Sequence, residues 1–386
     1  ARLPGVVTSP LGAPVAEVGG KKARVNVMRK QMNQAIAETL DENPECVYIG
    51  EDVEHGGYYL VTEGLAKRYP GRVRDMPPDE TSLIGVGVGM AQAGLLPVVE
   101  IPYAKYLDCG ADMFYEAVIA NWLSNGTKPN GMVIRLQGFD RGVFGGNFHT
   151  HNMIPLPPGL DVVVFSNGSD WVKGWRNAVE AARAGRVVMV IDSTDLLNRR
   201  HVDPDAKDAQ LMLPYPTRGE AASGGAETLG FDTIIRHGQL AADGAAAEAG
   251  AEASSAKDLL TIVTYGNGVV AAKVAQRRLA EEYGVSAVGI VEVPCVSEVP
   301  PTLASTLREL NGEGGAVLFA DVCKAQQAPL NHFAVSLQAE GTLSTRGTGK
   351  DWSLVAAPQT YNPLGTTVTF LSPDDIIEAV RPMLGL

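Results

Sequence analysis

The sequence has few cysteines, a deficit of basic residues and no long apolar run, and each shortage excludes a class of protein. Its four cysteines in 386 residues have no Cys-x-x-Cys spacing, which predicts reduced structural thiols and no disulfide framework. The 32 lysines and arginines against 44 acidic residues argue against a nucleic-acid or anionic-membrane surface. No apolar run approaches the ~20 residues that a membrane-spanning helix needs.

Several catalytic and nucleotide-binding motifs are also missing. The sequence has no Walker A, Gly-x-Ser-x-Gly or His-Glu-x-x-His pattern. The glycine-rich segment at residues 84–94 would need a third glycine at Met90 or Gln92 to fit a dinucleotide-binding fingerprint. Glu100 follows the glycines too soon for the acid that contacts a ribose, so nucleotide binding remains only an alternative.

Strand-like and helix-like segments alternate along most of the chain. This alternation predicts an α/β fold, with a mostly parallel sheet covered by helices on both faces. A length of 386 residues predicts two domains. We divide the chain into an N-terminal extension (1–23), a first α/β domain (24–202), a linker with a low-complexity insertion (203–257) and a smaller α/β domain (258–386). The first 22 residues lack periodicity and resemble the mature end left by a cleaved targeting peptide, although an artificially shortened chain would look the same.

Glu80 stands where an irregular, proline-containing turn meets a helix with unusually many glycines. Glycine costs roughly 1 kcal/mol in a helix relative to alanine, so the glycines of residues 84–94 indicate close packing. Spacing alone favours an ordinary acid at a helix start for Glu80, which the helix dipole stabilises. Thr81 or Ser82 could cap this helix.

Two further groups of residues could take part in chemistry. His149 and His151 lie in a glycine-rich loop after a predicted strand, without the further ligands that zinc needs. They are candidates for acid–base chemistry, and a solvated pair is the structural alternative. Tyr103 and Tyr106 follow the strand that ends near Glu100, where aromatic rings can stack on a flat ligand or simply pack in a core.

Taken together and in order, these segments resemble a known family. The resemblance rests on residues 49–53 (Ile-Gly-Glu-Asp-Val), 56–59, 61–65, 72–80, 85–94 and 97–100. They are similar to β subunits of the thiamine diphosphate-dependent decarboxylating component of 2-oxo acid dehydrogenase complexes, of the pyruvate or branched-chain type. The resemblance is strong over residues 25–200 and weaker over 258–386. It implies a thiamine-enzyme pyrimidine-binding domain followed by a transketolase C-terminal-like domain.

The resemblance also implies roles for individual residues. Glu80 would contact the aminopyrimidine ring nitrogen of thiamine diphosphate, Tyr106 would stack on that ring, and Pro102 would line the same wall. His149 would be the active-site histidine, with His151 as the alternative. A potassium ion is implied as well, although Ser193-Thr-Asp195 departs from the family's pattern at that strand end.

The sequence lacks the Gly-Asp-Gly and downstream Asn-Asn that grip magnesium and diphosphate in thiamine enzymes. The resemblance therefore implies a partner α subunit that holds magnesium, an α2β2 heterotetramer and a lipoyl acyltransferase core. The acidic composition predicts no nucleic acid and no membrane among the partners. The resemblance also implies a mitochondrial matrix location, or else a plastid or bacterial cytoplasm. The alternatives are a non-catalytic paralogue that acts as an assembly subunit, and the β half of another thiamine enzyme.

Overall fold

The computed structural model describes most of the chain. The described residues are 5–12, 17–18, 21–22, 24–128, 130–139, 153–218, 227–238, 258–311, 315–344, 351–360 and 370–386. Within them, no helix is long and apolar enough to cross a bilayer.

The elements of the described residues are as follows. The strands are β1 Val6–Thr8, β2 Glu17–Val18, β3 Lys21–Lys22, β4 Val25–Asn26, β5 Cys46–Gly50, β6 Val73–Asp75, β7 Leu96–Ile101, β8 Met132–Gly138, β9 Leu160–Val163, β10 Val187–Ser193, β11 Leu213–Pro214, β12 Ile234–His237, β13 Leu260–Thr264, β14 Val288–Glu292, β15 Ala316–Lys324 and β16 Trp352–Ala357. The helices are α1 Met28–Glu42, α2 Leu65–Arg68, α3 Glu80–Gln92, α4 Ala111–Leu123, α5 Gly168–Arg183, α6 Gly268–Tyr283, α7 Leu303–Asn311, α8 Leu330–Ala339 and α9 Pro373–Leu384.

The first sheet has six parallel strands in the order β6-β5-β7-β8-β10-β9. Helices cover both faces, so its central strands read as continuous apolar runs rather than alternating ones. All six residues of β7 and all seven of β8 are buried. Side chains such as Val98 pack on the α1 and α5 face, whereas the next residue, Val99, packs on the α3 and α4 face. The predicted parallel α/β fold is confirmed.

The second sheet also has six strands, in the order β1-β12-β14-β13-β15-β16. Strand β12 runs antiparallel to β14, and the other neighbours are parallel. Two of its strands come from outside residues 258–386, since β1 lies in the predicted N-terminal extension and β12 in the predicted linker. The second domain is therefore assembled from separated stretches of sequence.

Backbone hydrogen bonds join the two sheets. The Val164 N–H donates to Pro294 O over 2.8 Å, and the Val296 N–H donates to Val162 O over 2.9 Å. The end of β9 is thus extended by residues that follow β14. This junction fixes the carboxyl ends of the two sheets relative to each other.

Candidate active site

Three side chains of interest lie at the carboxyl edge of the first sheet. Glu51 follows β5, Glu80 begins α3 after the end of β6, and Tyr106 lies in the 3-10 helix Ala104–Gly110 that follows β7. Parallel strands bring their carboxyl ends to one edge, where open α/β sheets bind their ligands. The charges of Glu51 and Glu80 both act on Tyr106, so the three groups share one electrostatic environment.

The position of Glu80 is set by the turn before α3. Asp79 is the N-cap, with an extended backbone at φ −148°, and its carbonyl accepts the Leu83 N–H over 2.9 Å. The cap is therefore neither Thr81 nor Ser82, although the Ser82 hydroxyl donates to the Asp79 carboxylate. Glu80 is only 8% exposed. A carboxylate at this place is favoured by the unpaired N–H groups of the helix start.

Glu51 is the residue of this site that the sequence interpretation did not assign. Burial, together with the negative charges of Glu80 and Asp52, raises its pKa to about 7. Its Oε1 atom is buried and has no hydrogen-bond partner among the described residues. Its position in the sequence, directly after β5 and so at the ligand-binding edge of the sheet, could have identified it as a site residue. A carboxyl that holds a proton near neutral pH can donate a hydrogen bond to a ligand.

Aromatic rings form one wall beside these carboxyls. The centroids of Tyr58 and Tyr103 are 5.0 Å apart, and those of Tyr103 and Tyr106 are 5.8 Å apart. Burial raises the pKa of Tyr106, and the nearby Glu80 charge adds to this effect. Tyr103 and Pro102 are buried, whereas Tyr58 is exposed. The arrangement offers flat apolar surface next to acidic hydrogen-bonding groups.

The glycines of α3 serve different purposes. A Cβ on Gly87 would stand 2.6 Å from Val99 Cγ2, so this glycine lets the helix approach the chain's own strand β7. Gly94, with φ +86°, ends the helix, and the Leu95 N–H donates to Met90 O over 3.0 Å as in a Schellman motif. Gly89 faces open space within the described structure. Internal packing therefore accounts for part of the glycine pattern.

Glu100 does not take part in this site. Its carboxylate is buried and accepts hydrogen bonds from Arg135 and Gln137, each over 2.5 Å. Arg135 in turn contacts Asp192 over 2.6 Å. A carboxylate sealed in such a network cannot reach the ribose of a nucleotide, so the nucleotide-binding alternative is not supported.

The structure does not test the predicted active-site histidine or the predicted potassium ion. His149 and His151 lie outside the described residues, and their assignment stays a prediction. Residues 193–195, where the resemblance implied a potassium ion, end β10 and begin the 3-10 helix Thr194–Leu196. The potassium ion also stays a prediction.

The part of the chain that contains Glu51, Glu80 and Tyr106 is similar to known proteins. Residues 26–198 match the transketolase pyrimidine-binding domain family. The chain is 35% identical over 149 residues to the 2-oxoisovalerate dehydrogenase subunit beta of Pseudomonas aeruginosa, covering 37% of this chain and 42% of that one. It is 30% identical over 216 residues to the mitochondrial pyruvate dehydrogenase E1 component subunit beta of Saccharomyces cerevisiae, covering 54% and 58%. These alignments thus span about half the length of those relatives.

Two more distant matches extend over nearly the whole chain. The acetoin:2,6-dichlorophenolindophenol oxidoreductase subunit beta of Cupriavidus necator is 24% identical and is covered to 93% of its length. A solved split-gene transketolase, described as an inactive β4 tetramer, superposes with a TM-score of 0.61 at 18% identity, over 93% of this chain and 99% of that chain. The fold of both domains is therefore that of transketolase-like enzymes. The chain carries a transketolase pyrimidine-binding domain, at residues 26–198, and is a relative of the β subunits of 2-oxo acid dehydrogenases.

Proposed function

We propose that this chain is the β subunit of a thiamine diphosphate-dependent 2-oxo acid dehydrogenase. In this role it would serve oxidative decarboxylation of a 2-oxo acid and acyl transfer to a lipoyl group. The observation that carries the proposal is the grouping of Glu51, Glu80 and Tyr106 at the carboxyl edge of the first sheet. The similarity to dehydrogenase β subunits over this same domain supports it.

The residues present fit the pyrimidine half of the cofactor. Glu80 would hold a proton at the aminopyrimidine ring nitrogen. This role needs a carboxyl group, which Glu80 supplies at the start of α3. Tyr106 would stack on the ring, and Pro102 would limit its position from the end of β7. The buried Oε1 of Glu51 has no hydrogen-bond partner among the described residues, which supports a place for a polar group of a ligand beside Glu80. When bound, thiamine diphosphate supplies the electron sink for loss of carbon dioxide.

His149 would act in the same site during acyl transfer, as a group that protonates or polarises the reacting oxygen. His151 remains the alternative. A variant series settles the choice, because replacement of the acting histidine by alanine should lower acyl transfer while decarboxylation with an artificial electron acceptor continues. Equal behaviour of His149→Ala and His151→Ala would contradict the assignment of a single histidine.

An α subunit would complete the site, in an α2β2 heterotetramer that docks on a lipoyl acyltransferase core. The chain lacks the sequence motif for magnesium and diphosphate, so the partner would hold them. Large apolar side chains along one side of α4 support a subunit contact near the site. They are Tyr115, Ile119, Trp122 and Leu123, which are 43%, 38%, 67% and 76% exposed. Exposed apolar groups at helical spacing are typical of an interface.

The test is reconstitution with the α subunit from the same source. The complex should reduce an artificial electron acceptor with a 2-oxo acid, and only with thiamine diphosphate and magnesium present. Trp122→Asp should weaken the association with the α subunit, whereas Val335→Asp, on α8 and 64% exposed, should not. A correctly assembled complex that turns over neither a 2-oxo acid nor another substrate of thiamine enzymes would support the non-catalytic paralogue instead.

The Cupriavidus relative favours one other candidate function. Its alignment covers 90% of this chain, more than those of the dehydrogenase subunits described above. We therefore propose acetoin cleavage as the second candidate. An assay of the same complex with acetoin discriminates the two candidate functions. Turnover of acetoin, with none of 2-oxo acids, would select acetoin cleavage.

A further inference from the structure

The two groups that would hold the cofactor ring come from separate segments of the chain. Glu80 is the first residue of α3, and Tyr106 belongs to the 3-10 helix Ala104–Gly110. A carboxyl and a ring that act on one ligand must be held within a fraction of an ångström of their working positions. The structure contains two contacts that join these segments directly.

The first contact is a hydrogen bond. The Thr81 hydroxyl donates to Cys109 O over 3.1 Å. Thr81 adjoins Glu80, and Cys109 is three residues beyond Tyr106. The bond therefore links the first turn of α3 to the last turn of the 3-10 helix.

The second contact is steric. Gly110 is buried, and a Cβ placed on it would stand 3.0 Å from both the C and the O atom of Glu80 and 3.1 Å from Ile84 Cδ1. Its φ of −101° is open to any residue, so space and not backbone conformation requires glycine here. Backbone atoms of Glu80 cannot move aside as the end of a flexible side chain can. A larger residue would push the two segments apart.

We propose that Thr81 and Gly110 are positioning residues that hold the Glu80 carboxyl and the Tyr106 ring at a fixed separation. This inference rests on the proposed function, since it assigns the two contacts to cofactor placement. Neither residue touches the reacting atoms. They act through the backbone of Glu80 and of the 3-10 helix.

Thiol labelling of the full-length chain tests the hydrogen bond without any cofactor. Cys109 is exposed, whereas Cys46, Cys295 and Cys323 are buried, so a thiol reagent reports on the 3-10 helix. Thr81→Val keeps the shape of the side chain and removes the donor. It should speed labelling of Cys109 by about three- to tenfold, the factor expected for one lost hydrogen bond. Thr81→Ser keeps the donor and should label at the wild-type rate.

Cofactor titration of the reconstituted complex tests the steric contact. Gly110→Ala should raise the KM for thiamine diphosphate by about tenfold or more, because the ring contacts are displaced. Gly238→Ala is the matched control, since Gly238 is exposed and no described residue lies within 4 Å of an added Cβ. A purely structural role would lower the amount of active complex, and hence kcat, while the KM stayed constant.

The outcomes separate the two proposals. The positioning role is overturned if Thr81→Val and Thr81→Ser label alike, or if Gly110→Ala changes kcat at an unchanged KM for the cofactor. If the wild-type complex turns over no 2-oxo acid, the proposed function fails. The labelling rates, and the shift of the melting midpoint on adding thiamine diphosphate with magnesium, then still decide whether these contacts position the ring.

Discussion

The carboxyl edge of the first sheet and the junction between the sheets both contain a glutamate that holds its proton near neutral pH. At the edge, burial and the charges of Glu80 and Asp52 raise the pKa of Glu51 to about 7. At the junction, burial raises the pKa of Glu292 to about 8. One of these groups is open to a ligand and the other is sealed. A raised pKa alone therefore does not identify a functional site.

Hydrogen bonding accounts for the difference. Glu292 is fully buried, and its carboxyl accepts the Ser166 N–H over 2.9 Å and the Ser166 hydroxyl over 2.7 Å. Its Oε2 also lies 2.8 Å from Nε2 of the buried His237. Burial, with the nearby Lys273 charge, lowers the pKa of His237 to about 3. The junction pair is thus a neutral, internally bonded unit, whereas Oε1 of Glu51 has no partner among the described residues.

The largest expected contrast is in turnover. Glu80→Gln removes the carboxyl at the edge and should lower the 2-oxo acid turnover of the complex by about 10²–10⁴-fold, as for loss of a general acid–base group. Glu292→Gln keeps the shape of the junction pair and should leave turnover within a few-fold of wild type. Steady-state assays on both assembled complexes make the comparison. Near-normal turnover of Glu80→Gln, with the assembly intact, would remove Glu80 from the proposed site.

The free energy of unfolding should respond in the opposite order, with the larger loss at Glu292 and the smaller loss at Glu80. Glu292→Leu leaves the Ser166 N–H and hydroxyl without their acceptor in a buried place, which should cost about 2–4 kcal/mol. Glu80→Leu removes the favourable interaction of the carboxylate with the helix start, which should cost less than about 1 kcal/mol. Urea unfolding of the two variants of the full-length chain measures the difference. Equal losses would mean that the edge carboxyl is also held by structural hydrogen bonds.

The pH dependence of stability sharpens the comparison further. The folded pair carries one proton between the pKa of His237, about 3, and that of Glu292, about 8. An unfolded chain loses its protons near the usual values of 4.5 for glutamate and 6.5 for histidine. This pair should therefore add stability from pH 3 to 4.5, change nothing up to 6.5, and lose stability from 6.5 to 8.

Glu292→Gln isolates the glutamate contribution. Its folded pKa is raised, so wild-type stability from this group is present below pH 4.5 and is lost as the pH rises towards 8. The variant should gain on the wild type over that range, with a slope of at most about 1.4 kcal/mol per pH unit. Asp170, whose pKa burial raises to about 6, and Lys273 face the same cluster and are common to both chains. A pH-independent difference between the chains would show that Glu292 is ionised when folded.

The two regions also differ in how far the sequence predicts them. Continuous apolar strands and intervening helices predict the first sheet, and Glu51 and Glu80 follow short strands at its carboxyl edge. The junction cannot be predicted in this way, because Ser166 and Glu292 are 126 positions apart and are brought together only by the tertiary fold. Strand β1 is likewise too short for a periodic pattern, and its pairing with β12 is decided by tertiary contacts.

The smallest effect is expected at Glu51. The stability contributed by Glu51 should depend on pH with the same sign as that of Glu292, but with a smaller amplitude. The folded pKa of Glu51, about 7, exceeds the usual 4.5, so its contribution to stability is lost as the pH rises between these values. Glu51→Gln should therefore stabilise the chain more at pH 8 than at pH 4.5. Glu51 is partly exposed, so solvent screening limits the gain to less than about 1 kcal/mol.

Thermal unfolding at the two pH values, with Glu292→Gln alongside, measures both gains. A gain at Glu51 as large as at Glu292 would mean that the edge is as closed as the junction, and that a ligand must displace protein contacts to enter.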